Sequence, residues 1–369
     1  MEEMKSSVFD ARWWLVFSAP IVSMLLIHVL LIVAARFGVP KAGRDNEASG
    51  LAAPAVYGLA VFLAFVLVVL ANGRLPGHSW SLLVAMFIVV AIGVAADVTE
   101  IDFNYRLFAQ LVAALIIVSG TTVHVTGFGD LFGSGNLILG KWSILATLLS
   151  AIGLMNAIRL TDTLDGLAGS LTAVSLLLLV GVAVSASQWR LGFEIAVLCG
   201  SVIGISLYNL NSRGKIYSRR LGSAGCVLAG MLLYWYAAQL ASAPRPVVTP
   251  ITMVWILAVP LLDMASQMFI RVLQRKSPLY ADRQHWYLFL ADAGYSSSQV
   301  VAVISLTSLA LGLIGLQAAS IGVPESLMFF LFLCLFGANL LTLFYPQRFV
   351  GLAMCIWRPI DGGNATRRI

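Results

Sequence analysis

The chain has 369 residues, 60% of them hydrophobic and only 11% charged, with a mean hydropathy of +0.92. Soluble domains carry about a quarter charged residues, so this composition excludes an ordinary water-soluble enzyme and predicts an all-α, polytopic transmembrane helix bundle. The net charge of +6 resides in short loops between apolar runs, which membrane topology explains with no nucleic acid as a partner.

In chain order, eleven apolar runs bounded by polar residues read as spans: 14–35, 51–71, 79–96, 106–126, 141–160, 166–186, 191–211, 221–243, 249–270, 298–318 and 325–345. At about 20 residues each they occupy most of the chain, leaving too little for a second folded domain. The expected organisation is one membrane-embedded domain over 1–345, with the active-site loops on its cytoplasmic face and a cytoplasmic tail over 346–369. The first run is longer than a signal-peptide core and is expected to be retained, with Trp13 and Trp14 as an interfacial anchor. Cys199, Cys226, Cys334 and Cys355 are scattered and form no C-x-x-C pair, so neither a disulfide framework nor a thiolate metal site is expected.

Sidedness follows from the 23 Lys and Arg residues. On this span map, 6 fall on the side of the N-terminus and 17 on the other, which includes the clusters Arg213, Lys215, Arg219, Arg220 and Arg271, Arg275, Lys276, Arg283. The positive-inside rule then places the N-terminus outside and the C-terminus in the cytoplasm.

Polar residues gather on the same basic side. Asp97, Glu100 and Asp102 follow the third span; Asn156, Asp162 and Asp165 surround the join of spans five and six; Asn209 ends span seven; Asp282 and His285 follow span nine. Any one of these alone reads as a solvated loop residue, since polar groups at span ends cost little. Four such loops with interspersed cations on one face suit a phosphate-bearing substrate, with or without a bound metal. Asp263 lies within span nine, either in a helix–helix hydrogen bond or as partner of a cation such as Arg271. Asn156, Arg159, Asp162 and Asp165 recur every three residues, which places them near one face if the helix continues through them.

These motifs resemble the polyprenyl-phosphate N-acetylhexosamine-1-phosphate transferases (glycosyltransferase family 4), the group containing the phospho-N-acetylmuramoyl-pentapeptide translocase and the O-antigen initiating transferases. The resemblance runs from about Arg36 to Ser296. The family's Asp-Asp pair followed by Arg and Gln corresponds to Ala96-Asp97, Arg106 and Gln110. Its N-x-x-N-x-x-D-G-x-D-G-L-A is matched at Asn156, Asp162, Asp165, Gly166, Leu167 and Ala168, with Arg159 for the second Asn and Thr163 for the first Gly. A span end finishing in Asn is met at Tyr208-Asn209, and G-D-A-G-S reads Gly222-Ser223-Ala224-Gly225-Cys226. The last motif is matched at Pro260, Asp263, Arg271, Ser277-Pro278, Asp282, Arg283 and His285, with Tyr287 and Leu288 for its second and third histidines. The family's basic motif after span one is present only loosely, as Val39-Pro40-Lys41 with Arg44.

The resemblance implies a multi-pass protein of the bacterial inner membrane that moves a sugar 1-phosphate from a UDP-amino sugar to polyprenyl (undecaprenyl) phosphate and releases UMP, in surface-glycan or cell-wall biosynthesis. It implies catalytic roles for Asp97, Asp162 and Asp165, and substrate binding by Asn156, Arg159, Asn209, Arg106, Asp282, Arg283 and His285. It also implies Mg2+, yet Arg159 and Ser223 occupy the family's metal positions, and a guanidinium cannot ligate a cation. Three readings follow: transfer with Arg159 standing in for the ion; a catalytically silent paralogue holding nucleotide-sugar or lipid phosphate as a scaffold or regulatory subunit; and a lipid-linked sugar transporter. A homodimer, or a heteromer with an active relative, is a further arrangement that would supply the missing ligands.

Overall fold

The computed structural model describes residues 13–38, 53–73, 79–99, 101–121, 123–211, 220–242, 246–277, 285–348 and 350. The 351–369 part of the expected tail, the 39–44 basic motif, Glu100, Arg213, Lys215, Arg219, Asp282 and Arg283, and the side chain of Asn209 lie outside them.

The described residues form thirteen α-helices: α1 (Trp14–Arg36), α2 (Ala53–Ala71), α3 (Ser79–Val98), α4 (Phe103–Gly120), α5 (Ser143–Leu160), α6 (Leu167–Ser185), α7 (Trp189–Asn211), α8 (Gly222–Ser242), α9 (Pro250–Ile256), α10 (Ala258–Leu273), α11 (Leu288–Asp292), α12 (Ser297–Ser320) and α13 (Glu325–Phe344). Ten are long and apolar enough to cross a membrane, and α9 with α10 makes an eleventh. The protein is therefore an all-α, multi-pass membrane protein.

The ninth predicted span, 249–270, is not one straight helix. It bends by 88° between α9 and α10. Pro260 lies in the first turn of α10, where its missing N–H leaves the Ile256 carbonyl without its helical donor, and the Ser175 hydroxyl of α6 donates to that carbonyl at 3.4 Å. This is the one broken helix pair among the described residues, with no second to match it as a repeat. The fourth span is also shifted. Its helix covers 103–120 rather than 106–126, and the chain beyond it forms a short hairpin joined by the Gly127 and Ile138 bridge. Glu325, at the start of α13, accepts the Asp130 N–H at 2.9 Å and fixes that loop on the face opposite the polar residues.

Helix α8 is the centre of the bundle. In its most apolar stretch 89% of the residues are buried, against 6% in α13 at the rim. It packs on α2, α3, α5 and α6, and glycines set the approach. A Cβ at Gly58 of α2 or Gly93 of α3 would fall on the backbone at Ala224, and one at Gly230 would lie 2.6 Å from the Met155 Cα of α5. Without a hydrophobic drive between helices in lipid, such close backbone packing supplies much of the association energy.

Candidate active site at the start of helix α8

An α-helix begins with N–H groups that have no partner inside the helix, and a Ser, Thr, Asp or Asn normally accepts one of them. Here the residue before α8 is Leu221, which offers nothing. Two carboxylates from elsewhere in the chain do the work. Asp162 accepts the N–H groups of Leu221 at 3.0 Å and Gly222 at 2.9 Å, and Asp97 accepts those of Ser223 at 2.8 Å and Ala224 at 3.1 Å. Four consecutive backbone donors are thus shared by four carboxylate oxygens, and negative charge at this terminus opposes the positive end of the helix dipole. Gly222 has φ +77°, and a Cβ there would meet Asp97 Oδ2 at 2.9 Å, so the position demands glycine.

Asp162 reaches this place because α5 stops at Leu160. The chain then turns through Thr161 to Asp165, and Gly166 with φ +87° turns it into α6. The expectation that Asn156, Arg159, Asp162 and Asp165 share one helical face is corrected accordingly. Asn156 and Arg159 remain on α5, Asp162 points its carboxylate to α8, and Asp165 is exposed in the turn. Asn156 donates to Gln110 Oε1 at 2.7 Å, which ties α5 to α4. Burial is the main influence on Asp162, only 6% exposed, and pushes its carboxyl up to about 6 against the opposing effect of Arg220 and the two backbone donors.

Three cations surround this clamp. Arg159 lies within electrostatic range of Asp97, Asp162 and Cys226, and Arg106 within range of Arg159, Asp97 and Asp102. The Arg220 Nε donates to the Asp162 carbonyl at 2.8 Å. Among the described residues, no carboxylate lies within 4.0 Å of the Arg159 or Arg106 guanidinium. The Arg106 Nε and the Ser223 Oγ are sealed from solvent with no hydrogen-bond partner. Two neighbouring guanidiniums that repel each other, with neither neutralised by a close ion pair, form a site for an anion.

A second cluster adjoins the first. His285 Nδ1 and Asp263 Oδ2 are 2.8 Å apart, both side chains almost fully buried, so Asp263 has the helix-to-segment partner His285. Arg271 is buried nearby on the same helix, α10. The His285 ring stacks on Tyr287 at 5.1 Å, and the Tyr287 hydroxyl lies 2.9 Å from Thr163 Oγ1. Thr163 and Tyr287 depart from the family pattern in different motifs, and the structure pairs them. The sequence marks both only as departures and explains Arg220 by positive-inside bias; one hydroxyl gained in each of two motifs was the available signal. Of the predicted site residues, the structure brings together Asp97, Asp162, Arg159, Arg106 and Ser223, places Asn156 on the same helix as Arg159, and sets His285 in the adjoining cluster.

Magnesium does not fit these residues. Hard cations take carboxylate or carbonyl oxygens, but the four oxygens of Asp97 and Asp162 already accept N–H groups, Ser223 offers a neutral hydroxyl, and Arg159 contributes a positive charge beside them. No group of three His, Cys, Asp or Glu side chains suited to a metal occurs among the described residues.

The fold and site define a multi-pass membrane protein that gathers cations and carboxylates where four helix ends meet. Residues 79–241 match the family model described as Glycosyl transferase family 4. The undecaprenyl-phosphate alpha-N-acetylglucosaminyl 1-phosphate transferase of Yersinia pestis is 28% identical over 316 residues, covering 85% of this chain and 86% of that protein. That of Escherichia coli (strain K12) is 28% identical over 327 residues, covering 86% and 89%, and that of Haemophilus influenzae is 28% identical over 264 residues, covering 71% and 74%. Over most of its length the chain is thus similar to undecaprenyl-phosphate N-acetylglucosaminyl 1-phosphate transferases, and its central part to glycosyl transferase family 4.

Proposed function

We propose that this protein transfers a hexosamine 1-phosphate from a UDP-amino sugar to polyprenyl phosphate at the basic face of the bundle, in the bacterial inner membrane, with that face in the cytoplasm. The observation that carries the proposal is the pair of guanidiniums, Arg159 and Arg106, without a carboxylate inside 4.0 Å, beside a helix start held by two carboxylates. A silent paralogue whose site had closed would be expected to neutralise Arg159 internally. The Thr163 and Tyr287 bond argues the same way, because two departures that satisfy each other are an adaptation rather than decay.

In this reaction an oxygen of the lipid phosphate attacks the β-phosphorus of the nucleotide sugar. A new P–O bond forms, the bridging oxygen leaves with the α-phosphorus as UMP, and the product is a lipid-linked diphosphate sugar. A phosphate monoester is already largely dianionic at neutral pH, with a second pKa of about 6, so the nucleophile needs no general base. Asp97 and Asp162 therefore act as positioning residues that hold the start of α8. Arg159 and Arg106 face the diphosphate and stabilise negative charge as the bridge breaks. Asp165, exposed in its turn, and Asn156 are assigned to the nucleotide side, with Asn209, Asp282, Arg283 and His285 completing contacts to sugar and phosphate.

The test is UMP release by purified protein in detergent, supplied with undecaprenyl phosphate and UDP-N-acetylglucosamine. Turnover that falls at least about a hundredfold in Arg159→Gln is expected if the guanidinium meets the transition state. No release with any of a panel of UDP-amino sugars would overturn the assignment.

A further inference from the structure

We infer that the nucleotide diphosphate is bound here without a divalent cation, the Arg159 guanidinium and the Ser223 hydroxyl taking the place of the ion and its ligand. This rests on the transferase reading and goes beyond it, because that reading sets the guanidiniums on the diphosphate without deciding whether a cation is bound there as well.

Three features carry the inference independently of turnover. First, the two carboxylates nearest Arg159 are already engaged: each oxygen of Asp97 and of Asp162 accepts a backbone N–H of the α8 start, which halves the lone pairs left for a metal and fixes the direction of the rest. Second, the carboxylates here are already matched by cations. Arg159, Arg106 and Arg220 offset Asp97, Asp162 and Asp102, so no negative excess is left among the described residues to draw a divalent ion, whereas a diphosphate meets the two guanidiniums that have no close carboxylate. Third, Ser223 Oγ and Arg106 Nε are buried polar atoms without partners, so two donors beside the guanidiniums are left unspent by the fold. A guanidinium also spans two phosphate oxygens at once, which a bound ion otherwise does.

The experiment measures equilibrium binding of UDP and of UDP-N-acetylglucosamine to the full-length protein in detergent, in EDTA and in millimolar Mg2+, alongside Mn2+ titrations read by electron paramagnetic resonance. The wild type is expected to bind both nucleotides equally well in EDTA and in Mg2+, and to hold no Mn2+ with nucleotide present. Arg159→Gln should weaken binding at least about tenfold while Arg159→Lys keeps part of it, since a charge-assisted contact to phosphate is lost or only made monodentate. The double variant Arg159→Asn/Ser223→Asp should bind nucleotide only with Mg2+ and gain one Mn2+. Wild-type binding that vanishes in EDTA, or Mn2+ retained by the wild-type nucleotide complex, would overturn the inference and leave the transferase reading standing. Failure of both wild type and double variant to bind either nucleotide under any condition would overturn both. The Mn2+ measurement on the wild type decides the matter even if a variant fails to fold.

Discussion

The bond between Thr163 and Tyr287 is the simplest residue-scale test of whether the departures from the family pattern work together. Tyr287→Phe and Thr163→Val each remove one hydroxyl of a partly buried pair, and each should cost about 1 kcal/mol, with the double variant costing much less than the sum. Thermal unfolding of the four proteins in detergent measures it, and additive losses would mean that the hydroxyls act separately. Asp162 makes a second case. Its carboxyl rises from an ordinary 3.8 to about 6 because burial outweighs Arg220 and the two backbone donors. Between those values the folded protein binds more protons than the unfolded chain, so the Asp162 contribution is fully present below 3.8 and is lost as pH rises through about 6. The wild-type melting temperature measured relative to Asp162→Asn should therefore decline from pH 5 to pH 7. Asp162→Asn itself should unfold more easily at pH 7 by about 1–3 kcal/mol, because an amide group cannot accept both the Leu221 and Gly222 N–H groups.

At the scale of elements, α8 depends on small residues in its neighbours. Gly93→Val on α3 inserts a branched side chain where even a Cβ would overlap Ala224, so α3 and the start of α8 must separate and Asp97 must lose its two N–H donors. The expected outcome is a protein that inserts in the membrane but melts well below wild type and binds UDP more weakly. Wild-type stability in Gly93→Val would show that the contact is slack. The spans themselves were legible in the sequence because twenty apolar residues announce a helix to hydropathy alone, and ten of eleven predicted runs each overlap one continuous helix, the fourth shifted toward the N-terminus. The bend at Leu257 was not. Pro260 was visible, but a proline in the first turn is compatible with a straight start, and only the Ser175 donor from another helix shows how the freed Ile256 carbonyl is met. Of the site, the loops and the residue types were legible, since charge collects at one set of span ends. That Asp97 and Asp162 accept backbone N–H groups was hidden, because main-chain donors leave no trace in side-chain identity.

At the scale of the whole molecule, the hydrogen bonds from the end of α3 and from the α5 to α6 turn to the start of α8 put the polar loops on one face, and the hairpin held by Glu325 lies on the other. The count of 17 basic residues against 6 then makes a directional prediction, for it assigns the site face to the cytoplasm, where nucleotide sugars are available. Asn104 is exposed at the start of α4 on the site face, and Ser134 is exposed in the hairpin. With Cys334→Ser/Cys355→Ser as background, Ser134→Cys should react with a membrane-impermeant maleimide in spheroplasts, and Asn104→Cys only after the membrane is opened. The reverse pattern would place the arginines outside, away from UDP-sugars, and would remove the basis for the transfer reaction even if the purified protein bound nucleotide. Labelling of both sites in spheroplasts would mean that the membrane does not separate the two faces, and the spans would need redrawing. The expected pattern requires only that α4 cross the membrane between the two positions, while termini on opposite sides require an odd number of crossings, which is met when the bent pair α9 and α10 counts as one span and each of the ten long helices as another.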